Sequence, residues 1–159
     1  IPQWAKNYQV KGMEGAKTEE KAGYLYVTKQ WTGTETVELE FPMEVRLVQT
    51  NPKVRENIGK IAVVRGPIVY CLEEADNGAD LHFVSLSPKA VCKVKAEEIA
   101  GEPVKTVLTE GFRQENPEEE ELYTIAEADT EIPAKLKFIP YYVWANRGEN
   151  EMTVWVKKA

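Results

Sequence analysis

Apolar residues recur at every second position along most of this chain, and that period is what most constrains its fold. Val37, Leu39 and Phe41 alternate with Glu38 and Glu40; Leu136 and Phe138 alternate with Lys135 and Lys137; Val154 and Val156 alternate with Trp155 and Lys157. Successive side chains of a strand point to opposite faces, so each run has one face to bury and one to leave wet. Further strands are expected at Tyr24–Trp31, Val45–Thr50, Ile61–Arg65, Ile68–Glu73, Val91–Ala96, Lys105–Thr109 and Leu122–Ala126. Turn residues punctuate them at Gly33, Asn51-Pro52, Gly66-Pro67, Asp76-Asn77-Gly78, Ser87-Pro88, Asn116-Pro117 and Asn146-Arg147-Gly148. Roughly ten short strands at close spacing predict an all-β fold, an antiparallel β-sandwich of jelly-roll type with little helix.

The only helical hint is a single turn over Lys95–Ala100, before Gly101. Length fits one domain over residues 1–159. The stretch at about 76–133 is more polar and more broken than its flanks, and reads as an insertion or a second small sandwich. Glu115–Glu121 reads as a solvated loop, with calcium only as an outside alternative.

Charge excludes some functions. Twenty Lys and Arg against 26 Asp and Glu give a net charge of −6, the wrong sign for a nucleic-acid face. No apolar run approaches the ~20 residues of a membrane span. The opening Ile1-Pro2-Gln3-Trp4 has no initiator Met, as in a piece of a longer protein. Any targeting signal would then lie elsewhere, with a cytoplasmic location as the default.

Catalytic patterns are absent from the sequence. It holds no GxSxG, GxxxxGKS or GxGxxG, and its single histidine, His82, has no serine or metal-ligand spacing beside it. Glu73-Glu74 and Glu97-Glu98 are adjacent, but neighbouring strand residues face opposite ways and cannot form an acid–base pair. Cys71 and Cys92 sit in apolar runs and read as free, buried thiols, with a cross-strand disulfide as the alternative.

Aromatics crowd two places: Tyr24, Tyr26 and Trp31 early, and Tyr141, Tyr142, Trp144 and Trp155 late. Core or interface packing is favoured over a sugar-stacking surface, because burial of large rings dominates β-protein cores. Arg65-Gly66-Pro67 and Asn146-Arg147-Gly148 each place a guanidinium beside a tight turn. Such an arginine can bind a carboxylate ligand or lock a loop by donating to backbone carbonyls, and the lock is favoured.

Several longer runs carry a resemblance. IPQWA (1–5), GYLYVTKQW (23–31), LEFPMEVRLVQTNPKVRENIGKIAVV (39–64), RGPIVYCLE (65–73) and IPYYVWANRGENEMTVWV (139–156) resemble the C-terminal part of glycoside hydrolase family 127. The matched runs cover about half of the chain, in order, and Leu81–Pro133 carries none. Characterised members of that family are β-L-arabinofuranosidases: an (α/α)6 barrel with a zinc-bound cysteine nucleophile, followed by β-sandwich domains.

The resemblance implies a non-catalytic accessory domain, with no catalytic, zinc or other cofactor residue in this chain; neither Cys71 nor Cys92 matches the family's cysteine context. It implies that Arg65, Gly66 and Pro67 fix a turn. It also implies that Tyr141, Tyr142, Trp144, Asn146 and Arg147 form a surface facing the catalytic barrel. The alternative is a module in which those aromatics hold arabinose-containing glycans. A domain exposing that face would carry an apolar patch prone to dimerisation.

Overall fold

The computed structural model describes residues 1–115, 123, 125–126 and 130–159. The expected loop at Glu115–Glu121 and its calcium alternative lie outside these except for Glu115, and of the expected strand at Leu122–Ala126 the described residues Tyr123, Ile125 and Ala126 are not in a strand. The described chain forms two compact units, Ile1–Glu44 and Val45–Ala159. The sequence reading of one domain over 1–159 placed no boundary there, because alternation at Val37–Phe41 leads directly into Val45–Val48.

The first unit holds two small ladders. β1 (Gln9–Lys11) pairs antiparallel with β4 (Glu38–Glu40), and β2 (Lys17–Lys21) pairs with β3 (Tyr24–Thr28). Ala22 and Gly23 close the second hairpin, both at positive φ (52° and 82°), the twist that matches right-handed strands. Trp4 and Tyr8 meet Phe41 at ring separations of 5.7 and 6.4 Å. Tyr24, Tyr26 and Trp31 stay at least half exposed.

The second unit contains β5 (Val45–Val48), β6 (Lys60–Arg65), β7 (Ile68–Glu73), β8 (Val84–Leu86), β9 (Lys93–Ile99), β10 (Glu102–Gln114), β11 (Glu131–Pro140), β12 (Met152–Thr153) and β13 (Val156–Lys158). One helical turn, α1 (Glu74–Asn77), follows β7. The strand order is β12-β7-β11-β10-β8-β13-β6-β5, with β9 added beside β10. All pairings are antiparallel except β13 with β8. β6 also pairs with β7 at Arg65↔Ile68, so the path closes through six strands: β7, β11, β10, β8, β13 and β6. Strands that change partner make the corners of such a closure. β6 does so, lying against β13 at Ile61 and against β7 at Val64. Little helix and a strand-dominated chain are what the sequence predicts.

Three local expectations differ. Lys95–Ala100 is not a helical turn; its residues up to Ile99 belong to β9, which runs into a hairpin whose two turn residues, Ala100 and Gly101, both have positive φ. The expected short strand at Lys105–Thr109 is the centre of a 13-residue strand. Residues 84–114 do not form a separate insertion. β10 pairs with β11, β8 and β9, which places it inside the sheet of the unit.

The main core gathers Ile61, Val63, Tyr70, Leu72, Leu81, Val84, Leu86, Val107, Leu136, Phe138 and Val156. A second cluster, Cys71, Ile99, Val104, Ile139 and Val143, packs on the other face of β7 and β11. Alternation along β7 explains the division: Tyr70 and Leu72 face one cluster, Cys71 the other. Among the described residues no helix is long and apolar enough to cross a membrane.

Candidate functional site

Glu73 ends β7 on the Cys71 face and has no solvent exposure. A buried carboxylate is costly unless ionic and hydrogen-bond partners surround it. Here both oxygens are engaged. Oε1 accepts from the Ala145 backbone N–H at 3.1 Å and from the Asn150 side-chain amide at 3.2 Å. Oε2 accepts from Arg147 Nε at 3.0 Å and also from Arg147 Nη2.

The network continues outward. Arg147 Nη2 donates to Asp76 Oδ2 at 2.6 Å, and Lys137 Nζ donates to Asp76 Oδ1 at 3.1 Å. Lys137 also lies 2.8 Å from Glu97, which Lys95 reaches at 2.9 Å. Three carboxylates and three cations thus balance. The hydrogen-bond register is fixed by Asn77, whose amide donates to the carbonyls of Glu73 and Lys137 while its oxygen accepts from Lys137 N–H. Glu151 closes the far end, accepting from Leu81 N–H at 2.8 Å. The result is a clasp that holds residues 141–151 over β7, α1 and β11.

Burial works to raise the Asp76 carboxyl, but hydrogen bonds from Arg147 and Lys137 outweigh it and hold the group below its ordinary value. Lys137 and then Lys95 hold Glu97 low. For Lys137 burial works downward, yet Glu97 and Asp76 leave the ammonium above its ordinary value. Depressed carboxyls stabilise the fold above their unfolded values, and that contribution fades as pH falls through the folded ones. Stability should therefore hold near neutrality and fall below about pH 4, near the unfolded values of Asp and Glu. The raised lysine contributes below about pH 10.4 and loses that contribution in stronger alkali. Guanidinium midpoints across the acid range should drop in the parent chain, and Asp76→Asn should flatten that slope.

The sequence-predicted residues separate into groups. Arg147 joins the clasp, donating to carboxylates rather than to the backbone carbonyls expected of a locking arginine. Asn146 is exposed, and Trp144 is half-buried against the second cluster, its ring 6.3 Å from Tyr141. Tyr141 and Tyr142 stay exposed, at 45% and 62%. Gly66 and Pro67 form the two-residue turn between β6 and β7, with Gly66 at φ 55°, the conformation glycine favours at the first position of such a turn. Arg46 Nη2 donates to the Gly66 carbonyl at 3.1 Å. Arg65 flanks this turn, paired with Ile68, and lines, with Tyr70 and Tyr142, a cavity of about 210 Å³.

Sequence reasoning missed Glu73, Asp76, Lys137 and Glu97 as a set. A glutamate directly after the apolar run Ile68–Leu72 was the available signal, since a charge at that depth demands a cation.

Cys71 and Cys92 are both free thiols. Burial, reinforced by Glu73, pushes Cys71 up to about 12 despite Arg147. Burial also raises Cys92, with Thr109 opposing. A thiol is nucleophilic and ligates metal as thiolate, so Cys71 fits neither role at neutral pH. Native protein treated with a thiol reagent near pH 8 should leave Cys71 unmodified, and guanidinium should release it. Rapid native labelling of Cys71 would contradict this burial. Among the described residues no three His, Cys, Asp or Glu side chains cluster as metal ligands.

Comparison with known proteins bears on the whole chain. The sequence model of the glycoside hydrolase family 127 C-terminal domain matches residues 45–157, and that of the β-L-arabinofuranosidase GH127 middle domain matches residues 1–43. The two matches meet at the structural boundary between the units. A non-reducing end β-L-arabinofuranosidase of Bifidobacterium longum subsp. longum is 34% identical, aligned over 99% of this chain and 25% of its own length. A crystallised GH127 β-L-arabinofuranosidase from Geobacillus stearothermophilus T6 superposes with a TM-score of 0.83 at 34% identity, over 100% of this chain and 26% of that one. Another GH127 β-arabinofuranosidase gives 0.74 at 32% identity, over 96% and 23%. The chain spans about a quarter of the length of these relatives.

Proposed function

The chain belongs to glycoside hydrolase family 127, and on that premise we propose that it is a non-catalytic accessory region of a β-L-arabinofuranosidase-type enzyme. In this reading it supports the (α/α)6 catalytic barrel of the same polypeptide. The zinc and its cysteine ligands would belong to that barrel. The observation that carries the reading is the commitment of Glu73. Among the described residues Glu73 is the most buried carboxylate, and both its oxygens are taken by Arg147, Asn150 and the Ala145 N–H, so it is not free to act as an acid or base. Its companions Asp76 and Glu97 are likewise held by cations. Tyr141, Tyr142 and Val69 remain as exposed apolar surface for the barrel to cover.

Exposure of Tyr141 and Tyr142 side by side favours a second reading, a surface that stacks arabinose-containing glycans. One experiment separates the two. A polypeptide of the relatives' length is assayed on a chromogenic β-L-arabinofuranoside and on a polymeric glycan, with and without residues 45–159, alongside the 159-residue chain alone. Structural support predicts an inactive isolated chain, and lower melting temperature and soluble yield after the deletion. Glycan binding predicts unchanged melting with a raised KM on the polymer only. Turnover by the isolated chain would overturn both.

A further inference from the structure

Beside the clasp, the cavity of about 210 Å³ lies between the β6–β7 turn and the β9–β10 hairpin, with Tyr142 at its rim. Arg65 lines it from the end of β6; its guanidinium donates a hydrogen bond to Tyr70, but its Nε–H is buried in the wall without any acceptor. Buried donors in folded proteins almost always have partners, so an unmet Nε–H in the wall of a concave space points to an acceptor that occupies it. The space is several times the ~30 Å³ share of one water, and it falls below the ~300 Å³ at which drug-sized pockets begin. It suits one small ring.

The lining charges specify the acceptor's sign. Glu97 reaches the cavity, but Lys95 and Lys137 neutralise it at 2.9 and 2.8 Å. Arg65 and Lys105 also line the space, and among the described residues neither forms an ion pair. The local balance is therefore positive. Tyr70 is not available as the acceptor's main partner, because its hydroxyl already donates to the Lys105 carbonyl at 2.7 Å. Ile68 and the exposed ring of Tyr142 supply an apolar wall. We propose that this cavity binds a small ring carboxylate, its carboxylate on the Arg65 guanidinium and its ring against Tyr142. A planar guanidinium matches a carboxylate in a way that an ammonium does not. This site is independent of whether the domain supports a barrel.

The test uses the 159-residue chain and four probes: benzoate and galacturonate as the acids, benzyl alcohol and galactose as their neutral counterparts. Amide NMR shifts of Arg65, Ile68 and Val104 are followed during titration. At least one acid should saturate with a Kd of about 1 mM, the strength of one charge-assisted contact plus one ring face. Its neutral counterpart should not saturate. Arg65→Lys keeps the charge but removes the Nε donor, and should weaken the acid at least tenfold. Tyr142→Ala and Lys105→Gln, both at exposed positions, should weaken it severalfold and serve if Arg65→Lys fails to fold. A benzoate response alone identifies an aromatic acid, a galacturonate response alone a sugar acid. The proposal is overturned if neither acid saturates, if neutral probes bind equally, or if the variants bind as the parent does.

Discussion

Arg147→Ala should destabilise the C-terminal unit by about 3–5 kcal/mol, because removing one partner of a buried ion pair strands the other charge. Glu73 has no solvent exposure, so its carboxylate cannot recover hydration once the guanidinium is gone. Arg147 itself keeps 24% of its side chain exposed, which places the effect toward the lower end of that range. At this chain length about 3 kcal/mol corresponds to a melting temperature lower by roughly 10 °C. Glu73→Gln should lose less, since an amide oxygen can still accept from Ala145 N–H. The paired change Glu73→Leu with Arg147→Met should be milder than Arg147→Ala alone, since it leaves no unpaired charge. Thermal melts of the four proteins check this. A paired variant that melts below Arg147→Ala would mean that the stranded Glu73 charge is not what destabilises the single variant.

Gly111→Ala should be the other severe substitution. Gly111 sits in β10 opposite Ala134 of β11, next to the Phe112↔Ser85 pairing with β8. A methyl group there would stand 2.6 Å from the Ser85 carbonyl and 2.5 Å from Leu136 Cδ1. Leu136 could shift its rotamer, but Ser85 is backbone in a paired strand and cannot yield without opening the ladder. Overpacking of this kind costs about 1–3 kcal/mol, and backbone contact places it at the upper end. Amide exchange should show lost protection at Ser85 and Phe112 first. Unchanged protection there, with a normal melt, would mean that β8 accommodates the methyl.

Much of this fold is legible in the sequence because its strands have one wet and one buried face. Ile68–Glu73 is found residue for residue, and the Gly66-Pro67 turn before it is plain from its two residues. Where both faces are covered, or neither is, the period fails. Lys17–Lys21 is a strand with every residue exposed, and Val84–Leu86 is one with every residue buried. The first shows no apolar alternation and the second is too short at three residues to establish a period, and neither was expected. Lys95–Ala100 was misread because a helical turn and a strand entering a tight hairpin both end at a glycine.

The clasp was half legible. Arg147 stood out by its turn, but its partner Glu73 lies 74 residues earlier, and only the closed strand order brings them together. Single-residue reasoning supplied a backbone partner for that arginine. The structure supplies a carboxylate, because β7 buries both of its faces and the charge at its end has to be answered from outside the strand.

The central claim, that this region's buried charges hold structure rather than perform chemistry, is tested most directly by Arg147→Ala in a polypeptide of the relatives' length. Melting temperature and turnover of a β-L-arabinofuranoside would be measured on the same sample, well below the melt. The account predicts a lower melting temperature with kcat and KM per folded molecule unchanged. An unchanged melt with a collapsed kcat would contradict it, placing Arg147 and Glu73 in the catalytic machinery.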